Sequence, residues 1–437
     1  MKRALMIALG ALGQLALPAR SGAQTPARRD SVSYRDLLVT ATAADPRNEQ
    51  IGLYERATRS RLASIAAERL PALSIDGQAQ YQSAVTTIAA PLPGVAFPTP
   101  ARDTYDAHLG AEQSLLDPTR DARREIERAR LVESRAQVRG SLFGIRLELA
   151  DAFFAAASLQ EWIAETDASI ADVSARLRET VIRFREGAAL RGDTASLAAT
   201  LAERRQDRLA LASDRSAALA RVALLAGTQV ADSATLVAPT TESLVREVVR
   251  SLDTLHTRPE YEQFAATRDR LARQSELASA QERPRISAFG RLGYGRPGLN
   301  LLSADFQTYW LAGLQLHWTP VRWGTISRER EQLDLEREIV ATNEAAFARS
   351  IARSVQPTLA SIARLDSTLA LDENVVALRE QVVHEAQIHL REGVITAATY
   401  ADRSAELLVA RLRRVQHRVA LEQARVTLLN TLGVEVR

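Results

Sequence analysis

The sequence predicts a mainly α-helical protein of long antiparallel coiled helices with a minority of β-strands, the strands amphipathic and grouped as two hairpins. Three observations lead there. Ala, Leu, Arg and Glu dominate a chain of 437 residues that holds only 20 glycines and 15 prolines, a mixture that favours long helices. Apolar residues recur in alternating steps of three and four over tens of residues, the signature of helices packed along their length. The same order of patterns is also written twice, which marks an internal twofold repeat.

The first element is a targeting segment. Lys2 and Arg3 precede an apolar run from Ala4 to Leu17, and small residues stand at Ser21 and Ala23. This is the pattern of a secretory signal peptide over residues 1–23, and the apolar run is too short to span a bilayer. Without that segment the basic count falls from 56 to 53, because Lys2, Arg3 and Arg20 leave, and it equals the 53 acids. A neutral balance gives no reason to expect nucleic acid as a partner. The chain has no cysteine, so disulfides, thiol catalysis and thiolate metal sites are excluded.

The repeat is read from paired landmarks. Gly187 and Gly393 both follow Arg-Glu, and Gly227 and Gly433 lie 40 residues beyond them (227 − 187 and 433 − 393). Pro71, Gly77 and Tyr81 match Pro284, Gly290 and Tyr294, and Gly110 matches Gly313. The first repeat is assigned to 24–230, with strands at about 70–82 and 106–116, a long helix 119–186 and a return helix 193–226. A connecting segment covers 231–257. The second repeat covers 258–437, with strands at about 284–295 and 308–318, a long helix 325–391 and a return helix 396–432.

The long helices carry the clearest signal. From Leu142 the seam runs Ile145, Leu149, Ala152, Ala156, Leu159, Ile163, Thr166, Ile170, Val173, Leu177, Thr180 and Phe184, and only the two threonines interrupt it. As one helix, 119–186 would extend roughly 100 Å at 1.5 Å per residue. In the second half a seven-residue series joins Val355, Ile362, Leu369, Val376, Val383 and Leu390. Pro357 is expected to kink that helix, since it lacks a donor N–H.

The strands alternate with period two. Leu73, Ile75, Gly77, Ala79 and Tyr81 face one way, and Ser74, Asp76, Gln78 and Gln80 the other. Such strands suit a sheet between water and lipid. Tyr105, Tyr309, Trp310 and Trp318 stand near strand ends and are read as membrane-interface aromatics. Four strands alone would leave open edges, which are costly in lipid, so several chains must share one barrel.

At this point the chain resembles the TolC-like outer membrane efflux family. The resemblance rests on "SYRDLLVTATAADP" (33–46), "ERLPALSIDGQAQY", "EQSLLDPTRDARREIERARLVESRAQV", "RPEYEQFAATRDRLARQSELASAQERPRISAFG" and the two Arg-Glu-Gly breaks, in that order. It implies a homotrimer sharing a twelve-stranded outer membrane β-barrel, continuous with a periplasmic α-barrel tunnel. It implies an exit duct that needs no cofactor, fed by an inner membrane transporter of RND or ABC type through a periplasmic adaptor (membrane fusion) protein and embedded in outer membrane lipid. Small-molecule efflux is the expected role, with type I protein secretion as the alternative. The glycine breaks then become periplasmic tip turns, and Gly187, Gly393, Arg185, Arg391 and Thr396 become adaptor-docking candidates.

In the family, acids six and nine positions after the tip glycine line the narrow end of the pore. Here Asp193 holds the first such place, while after Gly393 those places hold Thr399 and Asp402. Asp193 and Asp402 are therefore the pore-constriction candidates. The competing reading of Asp193 is a helix cap, and of the glycines an ordinary left-handed cap.

Other motifs carry less. His384 and His389 are five apart, off the spacing of a helical metal site. "GRLGYG" lies in a strand, which points to close packing and not to phosphate binding. No nucleophile–base pair is present, so an enzyme is not expected. A coiled-coil scaffold explains the helices but leaves the amphipathic hairpins unexplained.

Overall fold

A computed structural model of the chain describes residues 31–86, 99–251, 257–300, 303 and 305–436. The expected signal peptide lies outside the described residues, as do most of the Pro-rich loop before Asp103 and part of the connecting segment. The chain is mainly helical. Helices α1 (Tyr34–Ala44) and α2 (Arg47–Ala67) lead into strands β2 (Ala72–Tyr81) and β3 (Asp103–Leu116). Then follow α3 (Pro118–Phe143), α4 (Ile145–Arg185) and α5 (Arg191–Ala226). After a short helix α6 (Glu242–Arg250), the order α7 (Pro259–Ala280), β5 (Arg285–Arg296), β6 (Gln307–His317), α8 (Thr325–Glu392) and α9 (Ala397–Leu432) completes the chain.

Local chemistry sets several of these boundaries. Ser33 caps α1 by accepting from the Asp36 N–H at 3.1 Å. Asp117 caps α3 by accepting from the Thr119 N–H at 3.0 Å, with Pro118 in the first turn where its missing donor costs nothing. Gly187, Gly227, Gly393 and Gly433 all take positive φ, between 62° and 81°. Each closes a Schellman pair: Ala188 N to Arg183 O and Gly187 N to Phe184 O are matched by Val394 N to His389 O and Gly393 N to Leu390 O.

The four long strands form one antiparallel sheet in the order β2-β3-β5-β6. Its two outer strands have no partner on their outer edges among the described residues. The helices keep the same lateral order. Near the sheet α2, α3, α7 and α8 pack side by side, and farther away α5, α4, α9 and α8 do. A small parallel sheet of β1 (Ser31–Ser33) and β4 (Thr235–Val237) ties the start of the described chain to the connecting segment. Gln160 of α4 grips Leu236 there, accepting from its N–H at 2.9 Å.

The core sits where these layers meet. Tyr34, Leu149, Phe153, Phe154, Val222, Leu428 and Leu429 are fully buried in one cluster. Tyr34 meets Phe153 edge-on at 5.5 Å, and Phe153 meets Phe154 at 5.4 Å. Burying each phenylalanine contributes about 2–3 kcal/mol. Phe153→Ala is accordingly expected to cost about 3–5 kcal/mol, read as a lowered thermal midpoint by circular dichroism. A second cluster, with Val173, Leu197, Leu390, Ala397 and Tyr400, lies at the far helical end.

The structure corrects the long helices in one place. The expected helix 119–186 is two helices, interrupted at Gly144, where Leu147 N reaches back only three residues to Gly144 O. The side-chain-free residue sits where the packing partners change from α2 and α7 to α5 and α9. In contrast α8 runs unbroken through Pro357 for 68 residues, about 100 Å. One missing hydrogen bond there is outweighed by packing along the whole helix. Thr166 and Thr180, which looked like faults in the seam, are buried within it.

Candidate functional site: the two helical turns and the polar face of the sheet

The turns after α4 and α8 lie together, although 206 residues separate their glycines (393 − 187). Two side chains join them. Arg183, in the last turn of α4, donates to the carbonyl of Leu390 at 2.6 Å and to that of Ala188 at 3.2 Å. It thus adds a second donor to a carbonyl at the end of α8, which also accepts from Gly393 N, and complements the negative end of that helix. Asp193 does the reverse. One carboxylate oxygen accepts from Leu190 N at 3.1 Å and the other from Ala397 N at 2.9 Å. A single carboxylate therefore caps α5 and α9 together.

This bridge explains the sequence asymmetry. Leu190 precedes α5 and has no side-chain acceptor, so Asp193 reaches back from the third helical position. Before α9, Thr396 caps with its own hydroxyl, accepting from Thr399 N at 3.2 Å, while Asp193 serves Ala397 from across the gap. Thr399 can stand where an acid was expected because Asp193 already supplies the charge. Asp193 thus serves two helix N-termini, from the third position of α5 and not from the N-cap position, which Leu190 holds. Asp402 is exposed, and its side chain makes no hydrogen bond or ion pair among the described residues. Arg185, Arg391, Gly187 and Gly393 are exposed at the same end, and Thr396 is exposed beside them.

Arg183 and Tyr400 were missed in the sequence, although a basic residue in a last helical turn is a recognisable signal. The Tyr400 hydroxyl donates to Asp172 at 2.5 Å from within the second core cluster. Burial first, and then the Asp172 bond, push the Tyr400 hydroxyl far above its ordinary value. Tyr400 is therefore neutral when folded at pH values where it ionises unfolded. Its stabilisation is fully present below about pH 10 and lost as pH rises toward the folded value. Alkaline denaturation of the parent chain is expected to begin near pH 10, and Tyr400→Phe is expected to flatten that loss.

The sheet has two chemically distinct faces. On one, Leu73, Ile75, Leu109, Leu292, Trp310, Leu314 and Leu316 are exposed, with Ile75 at 87% and Trp310 at 74%. Tyr105, Tyr294 and Phe306 stack at its loop end, with ring centroids 6.0 and 5.4 Å apart. Trp318 lies at the helical end and donates its indole N–H to Glu282 O at 2.9 Å. Eight residues separate Trp310 from Trp318, about 26 Å along an extended strand.

The other face is polar and bonded across strands. Ser74 donates to Asp76 at 2.7 Å, and His108 sits 2.6 Å from Asp106 and 3.5 Å from Asp76. Tyr309 extends over β5 to donate to Asp106. It can do so because a Cβ at Gly293 would overlap its ring, which accounts for one glycine of "GRLGYG". Tyr309 is consequently not an interface aromatic. It faces opposite to Trp310 and belongs to the polar network. Tyr309→Phe is expected to cost about 1 kcal/mol, read as earlier heat unfolding in detergent.

A sheet that is apolar on one exposed face and polar on the other, continued by a bundle about 100 Å long, has clear structural counterparts. The chain superposes on the outer-membrane channel OprN with a TM-score of 0.65 and 17% identity, over 92% of this chain and 90% of that one. It has the fold of the outer-membrane channels. VceC of Vibrio cholerae gives a TM-score of 0.62 at 14% identity, covering 92% of this chain and 97% of its own. The MtrE outer membrane channel of Neisseria gonorrhoeae, in its open state, gives 0.61 at 16% over 92% and 89%. No protein-family model and no curated protein matches the sequence. Among the described residues no helix of this channel fold is long and apolar enough to cross a membrane.

Proposed function

We propose that the chain is one protomer of a trimeric outer-membrane exit duct, exported by a signal peptide over residues 1–23. The observation that carries this reading is the four-stranded sheet with two open edges and an exposed apolar face. In lipid those edges demand partners, and three copies joined edge to edge give a closed twelve-stranded barrel (3 × 4) with the apolar face outward. Among the described residues α5 and α8 likewise stand at the two ends of the far helical layer, and three copies close them into a tunnel. The two halves, 24–230 and 258–437 around a connector at 231–257, arise in this reading from an internal duplication.

Such a duct is passive and performs no catalysis. It receives cargo from an inner membrane transporter through a periplasmic adaptor, which docks near Gly187, Gly393, Arg185, Arg391 and Thr396. Small molecules are the cargo we favour, and Asp193 and Asp402 lie at the end where the pore narrows. Cross-linking of outer-membrane fractions followed by mass measurement tests the assembly. A species of three chains is expected, and a monomer confined to the soluble periplasm would overturn the proposal.

A further inference from the structure

Trp323 lies outside both the joined helical turns and the polar network of the sheet. It lies between β6 and α8, in the sequence Arg322-Trp323-Gly324-Thr325. Among the described residues it is the one non-glycine with positive φ, at 47°, followed by Gly324 at 76°. Thr325 N closes the turn by donating to Arg322 O at 3.0 Å. Two successive left-handed residues inside one closed turn is the geometry in which Asn, Asp or Gly is the ordinary first occupant. A tryptophan there is strained, and its surface is also 88% exposed. Backbone strain and exposed aromatic area are both unfavourable in water, so the combination asks for a compensating partner.

The position of the turn indicates which partner. Trp318, five residues earlier, ends the apolar face of β6, and Val321 between them is exposed too. Arg322 donates to Gln281 at 3.3 Å, and Trp318 bonds to Glu282, so the turn is held at the level where α7 passes into β5. Arg283 at this level is exposed and makes no side-chain hydrogen bond or ion pair among the described residues. Indole rings beside arginines at the rim of an apolar face match the headgroup region of a bilayer, where rings sink to the acyl boundary and guanidinium groups meet phosphates.

We propose that the Trp323 turn is a lipid anchor, its ring seated in the phospholipid interface of the leaflet at the helical end of the sheet. The proposal rests on the reading of the sheet as membrane-embedded. The anchor would fix the depth of the barrel in the bilayer from a turn outside the strands.

Single-tryptophan proteins test this in vesicles. The chain has four tryptophans, Trp162, Trp310, Trp318 and Trp323, so each of two triple Phe variants retains only Trp323 or only Trp310. Both are reconstituted in phosphatidylcholine vesicles whose acyl chains carry bromine, either close to the glycerol or near the chain end. The Trp323 protein is expected to lose more emission with bromine close to the glycerol. If Trp310 is quenched and Trp323 is not, the anchor is overturned while the membrane reading stands. In that case blue-shifted emission from Trp323 would identify a neighbouring copy as the cover, and red-shifted emission would mean water. If neither is quenched, the membrane reading fails and the anchor with it. Should a triple variant not assemble, the quenching difference between the parent chain and Trp323→Phe gives the same decision.

Discussion

Asp193→Ala is expected to loosen the joined helical turns more than any other single change at that end. It removes an acceptor from Leu190 N and another from Ala397 N in one step. A lost cap costs about 1 kcal/mol, and a lost bond to a charged acceptor about 1.5–3. Together these amount to roughly 2–4 kcal/mol, discounted because the site is partly exposed. If the pore is gated there, about 2 kcal/mol shifts the balance of closed and open turns by roughly 30-fold. Higher conductance in planar bilayers should follow, together with earlier proteolysis at the turns. Adding Asp402→Ala should then weaken block by cations, because Asp402 is an exposed carboxylate with no side-chain partner among the described residues. A double variant with unchanged conductance and block would remove both residues from the gate.

Gly433→Ala is the glycine substitution expected to cost most in stability. The residue has φ of 81°, and an added Cβ would lie 2.9 Å from the backbone nitrogen of Arg258 and 3.0 Å from the carbonyl carbon of Thr257. The left-handed conformation alone costs a residue with a Cβ about 1–2 kcal/mol. Backbone cannot swing aside as a side chain can, and the contact is held by Thr257 Oγ1 donating to Leu432 O at 2.7 Å. The total should reach about 3–4 kcal/mol. Gly187→Ala is the control. Its φ is 78° but its added Cβ meets nothing within 4 Å, so about 1 kcal/mol is expected. Thermal unfolding of the two variants should therefore separate them clearly, and equal losses would mean that conformation alone matters.

Much of this architecture was legible because it follows from local periodicity. The seam from Leu142 to Thr180 and the four glycines announce long paired helices with turns, and the mainly helical fold agrees with that. The Gly144 interruption was not legible, since glycine inside a helical pattern is tolerated, and only the change of neighbours makes it a break. The role of Asp193 was half legible. Its own helix could be read, but Ala397 is 204 residues away and only the fold brings it near.

The face of Tyr309 is written in the repeat. Gly110 and Gly313 align at an offset of 203 (313 − 110), which matches Tyr105 to Thr308 and Tyr309 to Asp106, so Tyr309 and Tyr105 are not equivalent. One residue of register reverses the face of a strand. The aligned pair, Tyr309 and Asp106, are the two residues that bond across the polar face. Trp323 was equally visible as a tryptophan near the last strand, but its backbone conformation was not.

Single-channel current recording in planar bilayers, with protein purified from the outer membrane, tests the central claim most directly. A trimeric duct is expected to give discrete, long-lived conductance steps that prefer cations and vanish when the assembly is dissociated by heat. Protein that inserts without conducting, or never inserts, would contradict it.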